Sequence, residues 1–250
     1  MCNSPKMETG AAVLTDQLLN NLSISDLRGR IAAVGSPDDH IVYGYVIATV
    51  RPTGSGFRQT GSGPNFEGGF VTLCTCKHGM RTTRSAQQWS DQYTWIVGMT
   101  GWSAPFSKRQ SLVYLMRVGE AYDSQASLVA ALHASGRGHV VEAKASTGNQ
   151  IGDIMVPIAG RTKLNVYDPA SYETPVLGHA HRRNADTTDW HEDINYVALG
   201  GARPAMLVGD PELTFVWTHP MVQRRRPGPT RPYRRWTMSE FLDDLDGVQS

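Results

Sequence analysis

One stretch of the chain, residues 70–118, constrains the fold more than any other. It opens with Phe70-Val-Thr-Leu-Cys-Thr-Cys-Lys77, in which side chains of different character alternate as they do along a β-strand. His78-Gly79 follows as a predicted turn, and further strands are predicted over residues 93–99 and 111–118. Three strands with one turn that carries thiols, an imidazole and cations predict a small barrel-like sheet built to hold a ligand.

The overall composition narrows the class of protein only moderately. A net charge of +1 over 250 residues indicates no partner by itself. No apolar run approaches the roughly 18 residues that span a bilayer, and the first residues lack the apolar core of a signal peptide. The three cysteines, Cys2, Cys74 and Cys76, do not form the pattern of a disulfide framework. We therefore expect a cytoplasmic protein that does not contact a membrane.

The chain divides into three predicted segments: an N-terminal arm over residues 1–40, an α+β domain over 41–222, and a tail over 223–250. The domain begins with a strand rich in β-branched and aromatic residues, followed by a long glycine-rich loop over residues 51–69. This loop lacks the Gly-Lys-Ser/Thr ending of a phosphate-binding loop. The predicted fold class is α+β, with a mixed, barrel-like sheet and a few flanking helices, including one capped by Asp123 or Ser124.

The turn after the first strand is the first candidate site. Cys74 and Cys76 lie on one face of the predicted strand, close to Lys77, His78 and Arg81. A Cys-x-Cys pair is a poor zinc motif, because structural zinc sites space their ligands more widely and need two more of them. A nucleophilic thiol activated by the cations is one alternative. Two small core residues behind a cationic turn are the other.

Aromatic residues are the second candidate, because they recur near this turn: Trp89, Tyr93, Trp95, Trp102, Phe106 and Tyr114. Aromatic side chains on strands usually form the core. Beside cations, they can also hold a nucleobase by stacking once the base is out of its helix.

A histidine-rich stretch is the third candidate. His179 and His181 share a face if the stretch is extended, and Asp189 and His191 follow. Such residues are compatible with a metal site, with a general acid–base pair, or with a polar loop. Their spacing matches no established metalloenzyme signature, so no metal site is predicted and no cofactor is indicated.

The tail is the fourth candidate. It is rich in arginine and proline, with arginines at positions 224, 225, 226, 231, 234 and 235. The pattern is compatible with a solvated segment, with a surface for phosphates, or with a protein-interaction module. Thr237-Met-Ser-Glu240 is a capping box that predicts a short helix, and acidic residues beyond it are placed to fold back on the arginines.

Several motifs together resemble a known family. Gly63-Pro-Asn-Phe66, Val71-Thr-Leu-Cys-Thr-Cys-Lys77, Trp95-Ile-Val-Gly98 and Leu112-Val-Tyr-Leu-Met-Arg-Val118 resemble the second family of nucleotide-modification-associated domains. Residues 205–217 resemble its C-terminal strands. The resemblance implies a role in DNA base hypermodification in phages or bacteria. The chain departs from the family pattern at Cys74, His78 and Thr94, where alanine, proline and aspartate are usual.

The order of strands and motifs also resembles the PUA-like barrels of the EVE, ASCH and YTH group, whose pockets accept a flipped or modified base. We therefore predict a nucleobase- or nucleotide-binding protein of a DNA-modification system, with DNA as the expected partner. The predicted ligand-binding residues are Asn65, Phe66, Thr75, Lys77, Arg81, Trp95, Trp102, Tyr114 and His179. The alternative is an enzyme acting on the same ligand, with the catalytic residues drawn from Cys76, His78, His181 and Asp189.

Overall fold

The computed structural model describes residues 19–53, 56–102, 109–160, 165–176, 188–219, 221–226, 228 and 232–247. The strands within these ranges are β1 (Leu19–Asn20), β2 (Ile41–Val46), β3 (Val50–Thr53), β4 (Gly56–Gln59), β5 (Thr72–Leu73), β6 (Thr94–Met99), β7 (Gln110–Tyr122), β8 (Met206–Val216), β9 (Val222–Arg224), β10 (Arg234–Thr237) and β11 (Leu245–Gly247). The helices are α1 (Ile24–Ala32), α2 (His78–Arg81), α3 (Ala86–Trp89), α4 (Gln125–Ala134), α5 (Gly138–Lys144), α6 (Glu192–Asn195) and α7 (Met238–Asp243).

The main sheet is mixed and strongly curled into a half-barrel. Its strand order is β1-β8-β7-β6-β2-β10, while β5 pairs with β8 and β9 pairs with both β7 and β11. Strands β2 and β6 run parallel, as do β1 and β8, and the other pairs are antiparallel. The predicted α+β class with a mixed, barrel-like sheet is therefore confirmed, and the PUA-like identity stays a prediction.

The two faces of the sheet carry separate hydrophobic cores, because alternate residues of a strand point to opposite faces. On β6, Ile96 belongs to one core and its neighbours Trp95 and Val97 belong to the other. We name the first the Tyr45 cluster; it includes Tyr43, Tyr45, Leu73, Met80, Trp89, Tyr114 and Met116. We name the second the Trp95 cluster; it includes Leu27, Ile31, Val42, Trp95, Phe215, Trp217, Trp236, Phe241 and Leu242.

Short capped helices pack on the hydrophobic clusters: α7 on the Trp95 cluster, and α4, through Leu128 and Leu132, on a further cluster. Ser124 caps α4 in a reciprocal capping box with Ser127, and Thr237 caps α7 in the same way with Glu240, as the sequence predicts. α4 is the longest helix in the described ranges, at 10 residues, and none of the helices described there is long and apolar enough to cross a membrane.

Both predicted end segments contribute to the sheet or its cores. Leu27 and Ile31 of α1 are fully buried in the Trp95 cluster. In the C-terminal segment, β10 pairs with β2 along four residues, and Phe241 of α7 packs in the same cluster. The acidic side of this segment does fold back on the arginines, since Asp244 accepts a hydrogen bond from Arg224.

Two strand predictions are corrected by the structure. The strand expected over residues 70–77 is reduced to β5, Thr72–Leu73, because the carbonyl groups of Thr75 and Cys76 accept hydrogen bonds from Arg81. His78-Gly79, predicted as a turn, begins α2. Residues 205–209 and 213–217, which were expected to form separate strands, lie largely in the single strand β8.

Gly98 of β6 lies where the pairing of β6 with β7 shifts register, and its neighbours leave no room for a side chain. A Cβ atom there would lie 2.3 Å from Cε1 of Tyr114 and 2.6 Å from Cδ1 of Ile47, both in the Tyr45 cluster. We expect Gly98→Ala to lower the free energy of unfolding by about 1–3 kcal/mol through overpacking, as measured by chemical denaturation.

Gly101→Ala is the matched control, because the nearest atom to its added methyl group is Cγ1 of Val46, at 3.9 Å. We expect its stability to stay within about 0.5 kcal/mol of the wild type. Equal losses in the two variants would contradict a specific packing role for Gly98.

Candidate functional site

The turn that leads from β5 into α2 has an unusual backbone. Lys77 precedes α2 with φ 58° and ψ 33°, a left-handed conformation that non-glycine residues rarely adopt. Its carbonyl oxygen accepts hydrogen bonds from the backbone N–H groups of Met80 and Arg81, each at 3.0 Å. The start of α2 thus holds Lys77 in a conformation that costs on the order of 1 kcal/mol.

A buried arginine fixes the residues before this turn. Arg81 is fully buried, and its guanidinium group donates to the carbonyl oxygens of Thr75, Cys76 (2.9 Å) and Ala205 (2.6 Å). Burial lowers the pKa of Arg81, which the nearby anionic and thiol groups partly offset. Because the guanidinium has no exposed surface, Arg81 serves here to shape the turn, whereas the sequence predicts it as a ligand-binding residue.

Aromatic rings pack beneath the turn. The hydroxyl groups of Tyr45 and Tyr114 are hydrogen-bonded at 2.9 Å, and burial raises the pKa of both far above the usual value, so both stay neutral. The Lys77 ammonium lies 4.8 Å from the centre of the Tyr45 ring. Phe66, which is partly buried, meets Tyr114 edge to face with ring centres 5.8 Å apart. The predicted residues Phe66, Lys77 and Tyr114 are therefore brought together.

The glycine-rich loop closes over the same turn. The hydroxyl groups of Ser62 and Thr75 are hydrogen-bonded at 2.9 Å, and both side chains are buried. A Cβ atom on Gly63 would lie 3.2 Å from Cβ of Cys76, so the loop backbone approaches the thiol residue closely. Cys76 itself is partly exposed and forms no disulfide with another described residue, whereas Cys74 is fully buried.

His78 extends the site toward α6. Its Nε2 lies 2.9 Å from a carboxylate oxygen of Asp193, which has no exposed side-chain surface. The imidazole also stacks on the ring of Tyr196, with ring centres 4.8 Å apart. A buried carboxylate on one nitrogen and a ring against one face fix the orientation of this imidazole. Asp193 also lines a small cavity together with Arg203, and this cavity has room for about one water molecule.

A second layer of buried polar groups holds β5 in place beneath the site. Lys144 Nζ donates to the backbone oxygen of Asn65 (2.9 Å), to its side-chain oxygen (2.7 Å) and to the Phe70 carbonyl (2.9 Å). Asp153 accepts from the Thr72 hydroxyl (3.0 Å) and the Cys74 N–H (3.1 Å). Asn65 is 1% exposed, so its predicted role toward a ligand is replaced in this structure by a role within the fold.

Trp95, Trp102 and Asp189, which were also predicted for the site, differ in burial and surroundings. Trp95 is fully buried in the Trp95 cluster on the opposite face, where its Nε1 donates to Nδ1 of His40 at 3.0 Å. Trp102 is 43% exposed. Asp189 begins a short 3-10 turn and has one buried carboxylate oxygen without a hydrogen-bond partner. His179 and His181 lie outside the described residues.

Three buried ionisable residues were not predicted as part of the site: Asp193, Lys144 and Asp153. A signal for two of them exists in the sequence. Lys144 follows Val140 and Val141 at helical spacing, and Asp193 lies beside Ile194 and three residues after Trp190, on the same buried side. Asp153 has no such pattern around it, because it lies in an irregular segment.

The described residues contain no group of three or more histidine, cysteine or acidic side chains placed to hold a metal ion. The metal alternative for the histidine-rich stretch depends on His179 and His181, both of which lie outside the described residues. It therefore stays untested.

Comparison with known proteins gives no further identification. The chain matches no family model, and no significant match is found among the curated proteins or the solved structures. The resemblance carried by the motifs therefore stays a prediction, and the function has to be inferred from the site itself.

Lys144 provides a test of the buried polar layer. Burial lowers its pKa from 10.5 to about 8, with Asp153 as the largest opposing influence. Between these pH values the folded protein has released the proton while the unfolded chain still binds it, so stability rises with pH. We expect the wild type to gain up to about 3 kcal/mol relative to Lys144→Met between pH 8 and 10.5, measured by denaturant titration at each pH. Parallel stability curves for the two proteins would show that Lys144 keeps an ordinary pKa.

Proposed function

We propose that the protein binds a nucleobase or nucleotide at the turn formed by Cys76, Lys77 and His78, as part of a DNA base-modification system. The observation that carries this proposal is the position of Lys77, a cation held in a left-handed backbone conformation over an aromatic ring. Non-glycine residues in such conformations cluster at functional sites, where the surrounding structure compensates for the strain.

The charge at the turn suits an anionic ligand. Lys77 is only partly buried, and the ring of Tyr45 below it supports its positive charge without neutralising it. Lysine acts on phosphate as a compact point charge with three donors, which suits a partly exposed side chain beside the turn. Arg81, in contrast, contributes by holding the carbonyl groups of residues 75 and 76 in place.

Aromatic surfaces beside Lys77 suit the base. Phe66 and Tyr196 are both partly exposed, and each already packs against one ring of the site: Phe66 against Tyr114 and Tyr196 against His78. Stacking on such rings contributes about 1–3 kcal/mol per base and tolerates different bases. The motif resemblance to nucleotide-modification-associated domains supports the assignment to DNA modification, and the rings and the cation support the ligand class.

A thermal-shift titration with nucleoside monophosphates and short oligonucleotides tests the proposal. We expect at least one nucleotide to raise the melting temperature of the wild type. Lys77→Ala should weaken that ligand about tenfold or more, because a charge-assisted contact to phosphate is lost, and Lys77→Arg should retain part of the effect.

Arg30→Ala is the matched control, because it removes an exposed cation at the end of α1, on an element of the other core. It should bind as the wild type does. Absence of any nucleotide-dependent shift, or wild-type affinity in Lys77→Ala, would argue against the site.

A second candidate function is an enzyme that acts on the same ligand, with Cys76 as nucleophile or His78 as base. It is favoured by the hydrogen bond between His78 and buried Asp193, because a carboxylate that orients an imidazole is a common arrangement beside a nucleophile. The test is chromatographic analysis of a stabilising nucleotide after long incubation. Turnover that is lost in Cys76→Ser, while the thermal shift persists, would establish the enzyme. Recovery of unchanged nucleotide from the wild type would leave binding alone.

A further inference from the structure

Arginines converge on the opposite face of the sheet from Lys77, around the indole of Trp236. The guanidinium of Arg224 lies 4.3 Å from the centre of this ring, and that of Arg234 lies 5.6 Å from it. Arg225 and Arg226 follow directly in sequence at the end of β9 and are exposed. We name this set the arginine surface; its members are Arg224, Arg225, Arg226 and Arg234.

Arg224, the most buried member, is a cation with few hydrogen-bond partners. Arg224 is 1% exposed, and one terminal nitrogen donates to Asp244, while Nε and Nη1 have no hydrogen-bond partner among the described residues. Burial lowers its pKa, Asp244 raises it, and neighbouring Arg234 and Arg226 lower it further. The rings of Trp236 and Phe241 stabilise this cation without removing its charge.

The carboxylates beside this surface are shared between arginines or paired with arginines outside it, as Asp246 is with Arg109. Asp244 is shared, since it also lies 3.8 Å from Nε of Arg226. The neighbouring Asp243 of α7 pairs with Arg28 at 3.4 Å. Across the ranges that the structure describes, no carboxylate lies within ion-pair distance of Arg225 or Arg234. Like charges held this close raise the local positive potential.

We propose that the arginine surface binds the phosphate backbone of a nucleic acid, as a second site that is distinct from the nucleotide site at Lys77. Guanidinium groups bind phosphate oxygens in a planar, bidentate manner, and binding of a polyanion removes the repulsion among them. Arg224 ends β9 and Arg234 begins the edge strand β10, so the two strands bring the arginines together along one surface, which suits a polymer with regularly spaced charges. The backbone contacts give affinity without base sequence preference.

The test is fluorescence anisotropy with labelled single- and double-stranded DNA at several salt concentrations. The double variant Arg226→Gln/Arg234→Gln changes only exposed side chains, so it should fold. We expect it to weaken binding about tenfold and to reduce the slope of log K against log salt by about 2, one for each lost phosphate contact. The control Arg30→Gln/Arg58→Gln removes the same charge from exposed positions on α1 and β4 and should bind nearly as the wild type does.

The possible outcomes distinguish this proposal from three alternatives: a surface that binds any polyanion, a lipid-binding surface, and DNA binding at the Lys77 site. The proposal is overturned if the wild type does not bind DNA at low salt, or if the two double variants lose affinity equally. It is also overturned if polyglutamate or phosphatidylserine vesicles bind more tightly than DNA. The two sites are independent if Lys77→Ala still binds DNA and if Arg226→Gln/Arg234→Gln still shows the nucleotide-dependent thermal shift. Loss of DNA binding in Lys77→Ala alone would place the polymer at the other site and overturn the proposal.

Discussion

The guanidinium group of Arg81 is the interaction on which the candidate site depends. It lies fully buried and donates to carbonyl oxygens at Thr75, Cys76 and Ala205, so it ties the end of β5, the turn and the start of β8 together. A buried charge is costly unless its donors are satisfied, and here they are satisfied by backbone carbonyl groups. The left-handed backbone conformation of Lys77 follows, because the chain passes directly from the carbonyl groups bound by Arg81 into α2.

A second buried layer supports the first. Lys144 and Asp153 hold the backbone on either side of β5, from Asn65 to Cys74, through hydrogen bonds to carbonyl, hydroxyl and amide groups. Such groups specify one arrangement of the chain, since any other would leave an ionised or polar atom unpaired in the core. The cost is a lysine with a pKa lowered to about 8, which links the stability of this region to alkaline pH.

The curled sheet separates two charged regions of different character. Lys77 stands over the Tyr45 cluster as a single cation beside a thiol and an oriented imidazole, an arrangement suited to one small ligand. The arginine surface lies on the side of the Trp95 cluster and spreads its charge over a strand end and an edge strand, an arrangement suited to a polymer. Both proposals thus use electrostatics, but the first adds aromatic stacking for a base, whereas the second needs only phosphate.

Local patterns in the sequence determined the α+β class, the caps of α4 and α7, the positions of β6 and β7, and the presence of a cationic turn after Leu73, because each depends on residues close together along the chain. The tertiary structure alone decided which of those residues come together at the turn. Phe66, Lys77 and Tyr114 come together. Trp95 lies in the other core, and the donors of Arg81 are hydrogen-bonded to carbonyl groups. Alternation along a strand shows that two side chains share a face, but the partner that buries that face comes from distant residues such as Ala205, Asp193 and Lys144. Burial and hydrogen bonding with those distant partners therefore settle whether a polar side chain supports the fold or remains available for chemistry.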